Sequence, residues 1–336
     1  MAVKPSEVKQ RNQEYYDKRE EKKATRYYKT DSKEIRRKDG YYKTANNEIE
    51  KEVNAFYAKY GKVKEAPKID DLGVATETET ALVVDYNTAT KKSGSRSNKT
   101  RLQVLLASLG ITINELYKKQ NKSLEQYLSA VASENYNESV FEVFKGVGHG
   151  QRFNKLSDAA LSQLIRTPVA GTTFTQTYTL NRNKLAADVN RILRDGMIKG
   201  LSNKDMTKQL ESKMGTDSKN ASRIIRTELN NVYNQSNLSG YEASGVANRY
   251  EYIATLDNRT SEQCQELDGE NFAISEAVPG VNFPPVHPNC RSTTSIMLDS
   301  TTKAGTTRIA RDMSGKTYTV PGTMKYSEWK KTQGIE

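Results

Sequence analysis

Residues 224–246 read IIRTELNNVYNQSNLSGYEASGV, residues 249–272 read RYEYIATLDNRTSEQCQELDGENF, and residues 283–298 read FPPVHPNCRSTTSIML. The first piece has helical spacing, with Ile225, Leu229 and Val232 on one face. Small residues Ser236, Gly240 and Ala243 continue it and allow close approach of another element. After Gly245 the texture changes. Arg249 to Thr255 alternates like a strand, and Ser261 to Leu267 has the length of one short helix. Asp268-Gly269 is a tight turn. Phe283-Pro284-Pro285 leads an extended approach to His287-Pro288-Asn289-Cys290, and Thr293 to Leu298 reads as a last strand. The pattern is a small α+β lobe, with two or three strands, packed on helices.

Outward from this stretch the chain is helical. Leu185, Val189, Ile192 and Leu193 mark an amphipathic helix ending near Gly200. Ser202 is placed to cap a second helix carrying Met206, Leu210 and Met214, and Asp217-Ser218 to cap a third. Upstream, Leu102, Leu105, Leu106 and Leu109 repeat the helical period, as do Leu124, Tyr127, Leu128 and Val131. Gly110 is expected to end the first of these helices and Ser123 to cap the next. Ser157 caps a short helix that Thr167-Pro168 stops. Thr172 to Thr179 fits either a strand or a helix start. Ala81 to Tyr86 is open in the same way, and Ser93-Gly94-Ser95 reads as a loop.

Residues 1–65 are dense in charge and tyrosine, with pairs at Tyr15-Tyr16, Tyr27-Tyr28 and Tyr41-Tyr42. Helix is the expected state. With few aliphatics it lacks a core of its own, so its tyrosines suit docking on another surface. A solvated helical hairpin and direct nucleic-acid contact are the alternatives. The fold class is mainly α with a small α+β lobe. It comprises an extended helical N-terminal region, a central helix bundle and a C-terminal two- or three-stranded sheet lobe. The expected divisions are an arm and linker at 1–98, a helical region at 99–178, the helix-plus-lobe domain at 179–300 and a tail at 301–336. Trp329 in KYSEWKKTQG reads as a weak anchor or a solvated end.

Composition excludes several classes. The chain has 336 residues, 52 Lys+Arg against 41 Asp+Glu and a formal charge of +11, which favours acidic partners such as nucleic acid. Its N-terminus has no apolar signal-peptide core, and no run approaches the roughly 18 apolar residues of a membrane span. Two cysteines argue against a disulfide-stapled secreted fold, so a reducing cytosol is expected. The glycine-rich GVGHG around His149 lacks the GK[ST] of a phosphate-binding loop and reads as a connector.

Cys264, His287 and Cys290 are the candidate metal ligands. His287 and Cys290 sit three apart, so one turn can aim both at a point, but zinc usually takes four ligands. Asp257, Asp268 or a water are candidates for the fourth, and Arg259 and Arg291 favour thiolates nearby. Without a C-x2-C knuckle, reduced cysteines packed in the lobe are the expected state. Zinc, a Cys264–Cys290 bond and a reactive thiol are alternatives. No catalytic residue set converges.

Taken in order, these motifs resemble the phage minor head proteins, the head-morphogenesis family similar to protein F of phage Mu. Arg226-Thr227-Glu228 resembles the family's helix motif, followed by Asn230 or Asn231 and Asn234. Ile253 to Thr260, with Asp257, Arg259 and Thr260, resembles its strand and turn. Leu267-Asp268-Gly269 and Pro284-Pro285, then His287-Pro288-Asn289-Cys290-Arg291, complete it. The resemblance spans roughly residues 180–298. Two positions depart from it: Ser261 and Ser292 stand where many members carry cysteine. The resemblance implies a structural, non-enzymatic virion protein near the portal, in the capsid interior or at the portal vertex, present in the host cytoplasm during assembly. It implies portal, major capsid and scaffold proteins as partners, a role in head assembly, and phage DNA as a further contact during packaging or ejection. ADP-ribosyltransferase modules accompany some such domains, but no Glu-x-Glu follows Ser292-Thr293-Thr294-Ser295. The alternative is a nucleic-acid-binding or nuclease protein with a small zinc site.

Overall fold

The computed structural model describes residues 13–60, 101–147, 154–169, 171–245, 247–297 and 307–334. Its elements run α1 (Gln13–Tyr60), α2 (Arg101–Val147), α3 (Asp158–Ile165), α4 (Phe174–Ile198) and α5 (Asn203–Ser244). The lobe follows with β1 (Arg249–Ile253), α6 (Glu262–Leu267), β2 (Asn271–Ala273), a 3-10 turn (Ile274–Glu276) and β3 (Thr293–Met297). Then come β4 (Thr307–Arg311), β5 (Thr317–Pro321) and α7 (Tyr326–Thr332). The fold is mainly α with small antiparallel sheets at the C-terminal end, as the periodicities indicate. Ala81 to Tyr86, Ser93-Gly94-Ser95 and His149 with Gly148 and Gly150 lie outside the described residues.

Two compact units interleave along the chain instead of following one another. One comprises residues 34–124 and 175–222. Its core takes Leu102, Leu105, Leu106 and Leu109 from α2 with Leu185, Val189 and Leu193 from α4, all buried. Ile113, Leu116 and Tyr117 are buried in the same period. That unbroken stripe carries α2 straight through Gly110 and Ser123, where a break was expected. A helix-interior glycine costs only about 1 kcal/mol relative to alanine, which such burial outweighs. Ser123 donates to Glu34 at 2.6 Å, so it serves as a packing group and not a cap. The expected cap at Asp217-Ser218 is also absent, because α5 is continuous there. Asp217 instead accepts hydrogen bonds from Tyr42, at 2.6 Å, and from Tyr117. Ser218 accepts from the buried Lys38 at 2.8 Å.

The other unit comprises residues 1–33, 125–174 and 223–336. On α1 a stripe of Tyr16, Glu20, Lys23, Ala24, Tyr27 and Asp31 is buried at helical spacing. The N-terminal tyrosines therefore dock on the chain's own helices. Tyr27 stacks on Tyr233 with centroids 5.0 Å apart, and Tyr16 joins Tyr136, Val140, Tyr241 and Tyr250 in one apolar cluster. The buried charges are matched. Lys23 donates to Glu20 at 2.9 Å, to Ser139 at 2.9 Å and to Asn237 at 3.1 Å. Tyr233 and Asn237 donate to the remaining Glu20 oxygen at 2.8 and 2.9 Å. A charge buried this deeply is tolerated only when partnered in this way.

Local signals set the helix ends. Ser157 accepts from the backbone N–H of Ala160 and Ser202 from that of Asp205. Gly200 takes φ of 67°, closing α4. Of Thr172 to Thr179, Thr172 bridges to Val169 and the stretch from Phe174 onward is the start of α4. In the lobe β1 is central, ordered β2-β1-β3 and antiparallel to both neighbours. Tyr250 to Ile253 are consequently buried on both faces.

Residues 307–334 are folded, and of the two readings of Trp329, a weak anchor or a solvated end, its burial fits the anchor. β4 and β5 form an antiparallel hairpin, and a bridge joins Ala310 to Leu256. Trp329 is fully buried among Leu256, Ala310, Val320 and Tyr326. Its indole N–H donates to the Tyr318 hydroxyl at 2.8 Å. Trp329→Ala is therefore expected to lower unfolding free energy by about 3–5 kcal/mol, measured by chemical denaturation. A change below about 0.5 kcal/mol would mark a solvated end instead.

Candidate functional site

The sequence His287-Pro288-Asn289-Cys290 builds a turn. Pro288 presets its second position, and Asn289 takes φ of 61°, a region asparagine tolerates better than most side chains. The Cys290 N–H closes the turn on the His287 carbonyl at 3.1 Å. His287 and Cys290 are thereby aimed at one point. Cys264 reaches it from α6, whose first turn is capped by the Ser261 hydroxyl.

The Cys264 sulfur lies 3.2 Å from His287 Nε2 and 3.7 Å from the Cys290 sulfur. Both cysteines are free and buried. Tyr252 places its hydroxyl 3.3 Å from the Cys264 sulfur and 3.9 Å from that of Cys290. His287 Nδ1 lies 2.9 Å from the Pro288 carbonyl, which can only accept, so Nδ1 carries a proton. A cavity of about 20 Å³ adjoins Cys264 and His287, lined also by Ser261, Ser292, Arg259 and Arg291. The Cys290 thiol hydrogen-bonds Cys264 and holds its thiol well below the usual range, against the opposing effect of burial. The same hydrogen bond, with burial, pushes Cys290 up.

Among the described residues, these three side chains form the one cluster with ligand atoms close enough to share an ion. The two candidate carboxylates do not join it. Asp257 is engaged by Arg291, bonded at 2.7 Å through one nitrogen and closer still through the other. It also accepts the Arg259 N–H at 3.0 Å and the Thr260 hydroxyl at 3.2 Å. Burial raises its carboxyl, but Arg291 outweighs that and the net displacement is downward. Asp268 is held by a two-pronged bond from Arg308, both arms 3.0 Å, and by the N–H groups of Ala254 at 2.9 Å and Tyr326 at 2.7 Å. Gly269 follows at φ of 77°, and its N–H returns to the Tyr252 carbonyl.

The helix motif meets the turn. Thr227 accepts the Asn289 N–H at 3.0 Å. One turn on, Asn230 donates to the Ser292 carbonyl at 2.9 Å, and Thr293 donates to Asn234 at 3.2 Å. Arg226 points elsewhere, half exposed and 3.4 Å from Asp31. Glu228 is buried, and among the described residues its Oε2 has no hydrogen-bond partner. Sequence spacing did not place Tyr252 beside the cysteines, although Ile253 or Tyr252 stands at the aromatic position of the family motif, nor did it find Arg308, which lies in the stretch read as tail. A buried tyrosine flanked by apolar strand positions was the available signal for Tyr252. For Arg308 there was none.

Residues 187–295 match the family model described as Phage Mu protein F like protein. The chain is also similar to the NAD(+)--arginine ADP-ribosyltransferase EFV of Enterococcus faecalis, at 25% identity over 195 residues, covering 56% of this chain and 40% of that protein. It thus spans less than half the length of that relative. No solved structure matches it.

Burial, eased only by a hydrogen bond from Asn231, pushes the Glu228 carboxyl from 4.5 up to about 8. The folded chain then holds this proton more tightly than the unfolded chain. Its stabilising effect is complete below the unfolded value and is lost as pH rises to about 8. Glu228→Gln is expected to gain stability over the parent progressively across that window, by a few kcal/mol at its upper end in denaturant titrations at stepped pH. A pH-independent difference would contradict this. Arg308→Ala leaves Asp268 buried and unpaired, an expected loss of about 3–5 kcal/mol. Arg259→Ala, at an exposed guanidinium, should change stability by about 1 kcal/mol or less in the same assay.

Proposed function

We propose that this chain, whose residues 187–295 belong to the Phage Mu protein F like family, is a non-enzymatic structural component of a phage head. It acts in head assembly at or near the portal and is carried in the virion. The observation that supports this most is what the shared motif residues do. Thr227 fastens the turn at Asn289, Asp257 is clamped by Arg291, and Asp268 is clamped by Arg308. Each is engaged inside the fold: Thr227 holds the lobe on α5, Asp257 braces the lobe internally, and Asp268 ties it to the C-terminal hairpin. A hydrolase or transferase would instead keep such carboxylates open to a reacting group.

The net charge of +11 suits a surface working beside packaged DNA, and it supports DNA as a contact during packaging or ejection. Portal, major capsid and scaffold proteins are the partners this reading names. No helix among the described residues is long and apolar enough to cross a membrane. The activity in the Enterococcus relative's name is that protein's.

The test is to isolate procapsids and tailless heads and to quantify this chain by mass spectrometry. It is expected in both particles, in a few copies per head and at a fixed ratio to the portal. Absence from both would overturn the proposal. Zinc-dependent cleavage of DNA by the isolated chain would favour a nuclease in its place.

A further inference from the structure

We propose that Cys264, His287 and Cys290 form a three-ligand site for a zinc-class divalent cation, with its fourth position opening on the cavity beside Ser261 and Ser292. The geometry carries this. Tetrahedral zinc with Zn–S bonds of about 2.3 Å sets two sulfurs about 3.8 Å apart. The two sulfurs here are 3.7 Å apart. The same ion sets sulfur and imidazole nitrogen about 3.6 Å apart. The observed 3.2 Å requires an opening of a few tenths of an ångström.

The imidazole is prepared for ligation. With Nδ1–H given to the Pro288 carbonyl, neutral His287 keeps its free lone pair on Nε2, the atom facing Cys264. That is the outer-sphere arrangement that fixes a ligating histidine. Tyr252 reaches both sulfurs and can donate to whichever bears more charge. Two thiolates and one imidazole favour a soft or borderline ion over magnesium or calcium. Asp257 and Asp268 are committed to Arg291 and Arg308, which leaves the fourth place to a water or a serine hydroxyl. The cavity of about 20 Å³ accommodates one water. Ser261 and Ser292 line that cavity together with Cys264 and His287 and therefore stand beside the fourth place. On binding, each sulfur coordinates as thiolate and any thiol proton leaves to solvent. The ion then ties α6 to the 287–290 turn.

This site does not depend on the head-protein reading, because it is tested on the purified full-length chain alone. Zinc content is measured by elemental analysis. Cobalt(II) is titrated into the metal-free chain, and affinity is read by competition with a chromophoric chelator. One zinc per chain is expected, together with the sulfur-to-cobalt and visible bands of a tetrahedral thiolate complex. Cys264→Ser with Cys290→Ser should weaken binding at least about a hundredfold. Ser292→Cys supplies a third sulfur while keeping Cys264, His287 and Cys290, so a loss of those ligands does not confound it. It should tighten binding at least about tenfold. A chain that is folded by circular dichroism yet binds no stoichiometric zinc or cobalt would overturn the proposal. So would cobalt bound without thiolate bands, or an affinity unchanged in the double serine variant. An unchanged affinity in Ser292→Cys would overturn the placement of the fourth position.

Discussion

A carboxylate shut away from water is stable only if its charge and its lone pairs are all answered, and Asp268 is answered from three directions. Arg308 on β4 supplies a two-pronged charged bond. The chain just after β1 supplies the Ala254 N–H, and the first residue of α7 supplies the Tyr326 N–H. Arg308 completes its own set on the carbonyls of Ala254 and Met324. One side chain thus fixes the end of the central strand, the C-terminal hairpin and the last helix against each other. The apolar cluster around Trp329 lies where those three elements meet. Removing either charge leaves the other buried without a partner, which is why this joint is costly to break.

A second joint holds the lobe on α5. Thr227, Asn230 and Asn234 lie on one helical face and meet Asn289, Ser292 and Thr293. Most of these bonds involve a backbone group of the irregular segment leading into β3. Such backbone needs partners when buried, and a helix face of short polar side chains supplies them without holding the segment away. The turn fixed in this way carries His287 and Cys290 to Cys264. The thiol cluster therefore rests on the same joint that seats the lobe, and an ion bound there would add a third tie.

The lobe was legible in sequence because its signals are local. Alternation at 249–255, the short helical run at 261–267, Asp268-Gly269 and the Pro-Asn turn each act within a few residues. The helices were legible in kind but not in length. Gly110 and Asp217-Ser218 carry the marks of helix ends, and only the burial of their neighbours decides that α2 and α5 run on. The N-terminal tyrosines were read as docking groups, and the partner is the chain itself. Glu20 and Lys23 find Tyr233 and Asn237 more than 200 residues away. No local pattern encodes such a pairing. The same holds for Trp329, whose immediate neighbours are polar while its packing partners Leu256, Ala310 and Val320 lie elsewhere in the chain. Of the candidate site, Cys264, His287 and Cys290 were singled out from sequence, and the structure brings them together. Asp257 and Asp268 were weighed beside a water for a fourth place; Arg291 and Arg308, which engage them, could not be assigned from sequence.

The central claim is that the motif residues act as internal fasteners joining lobe, hairpin and helix into one cooperative unit. Native-state hydrogen exchange at single-residue resolution tests it most directly. The amides of Ala254 and Tyr326, bound to Asp268, and of Asn289, bound to Thr227, should exchange slowly and with one common opening free energy. Rapid exchange at Tyr326 while Ala254 stays protected would show a C-terminal segment that is not fastened, and would contradict the account.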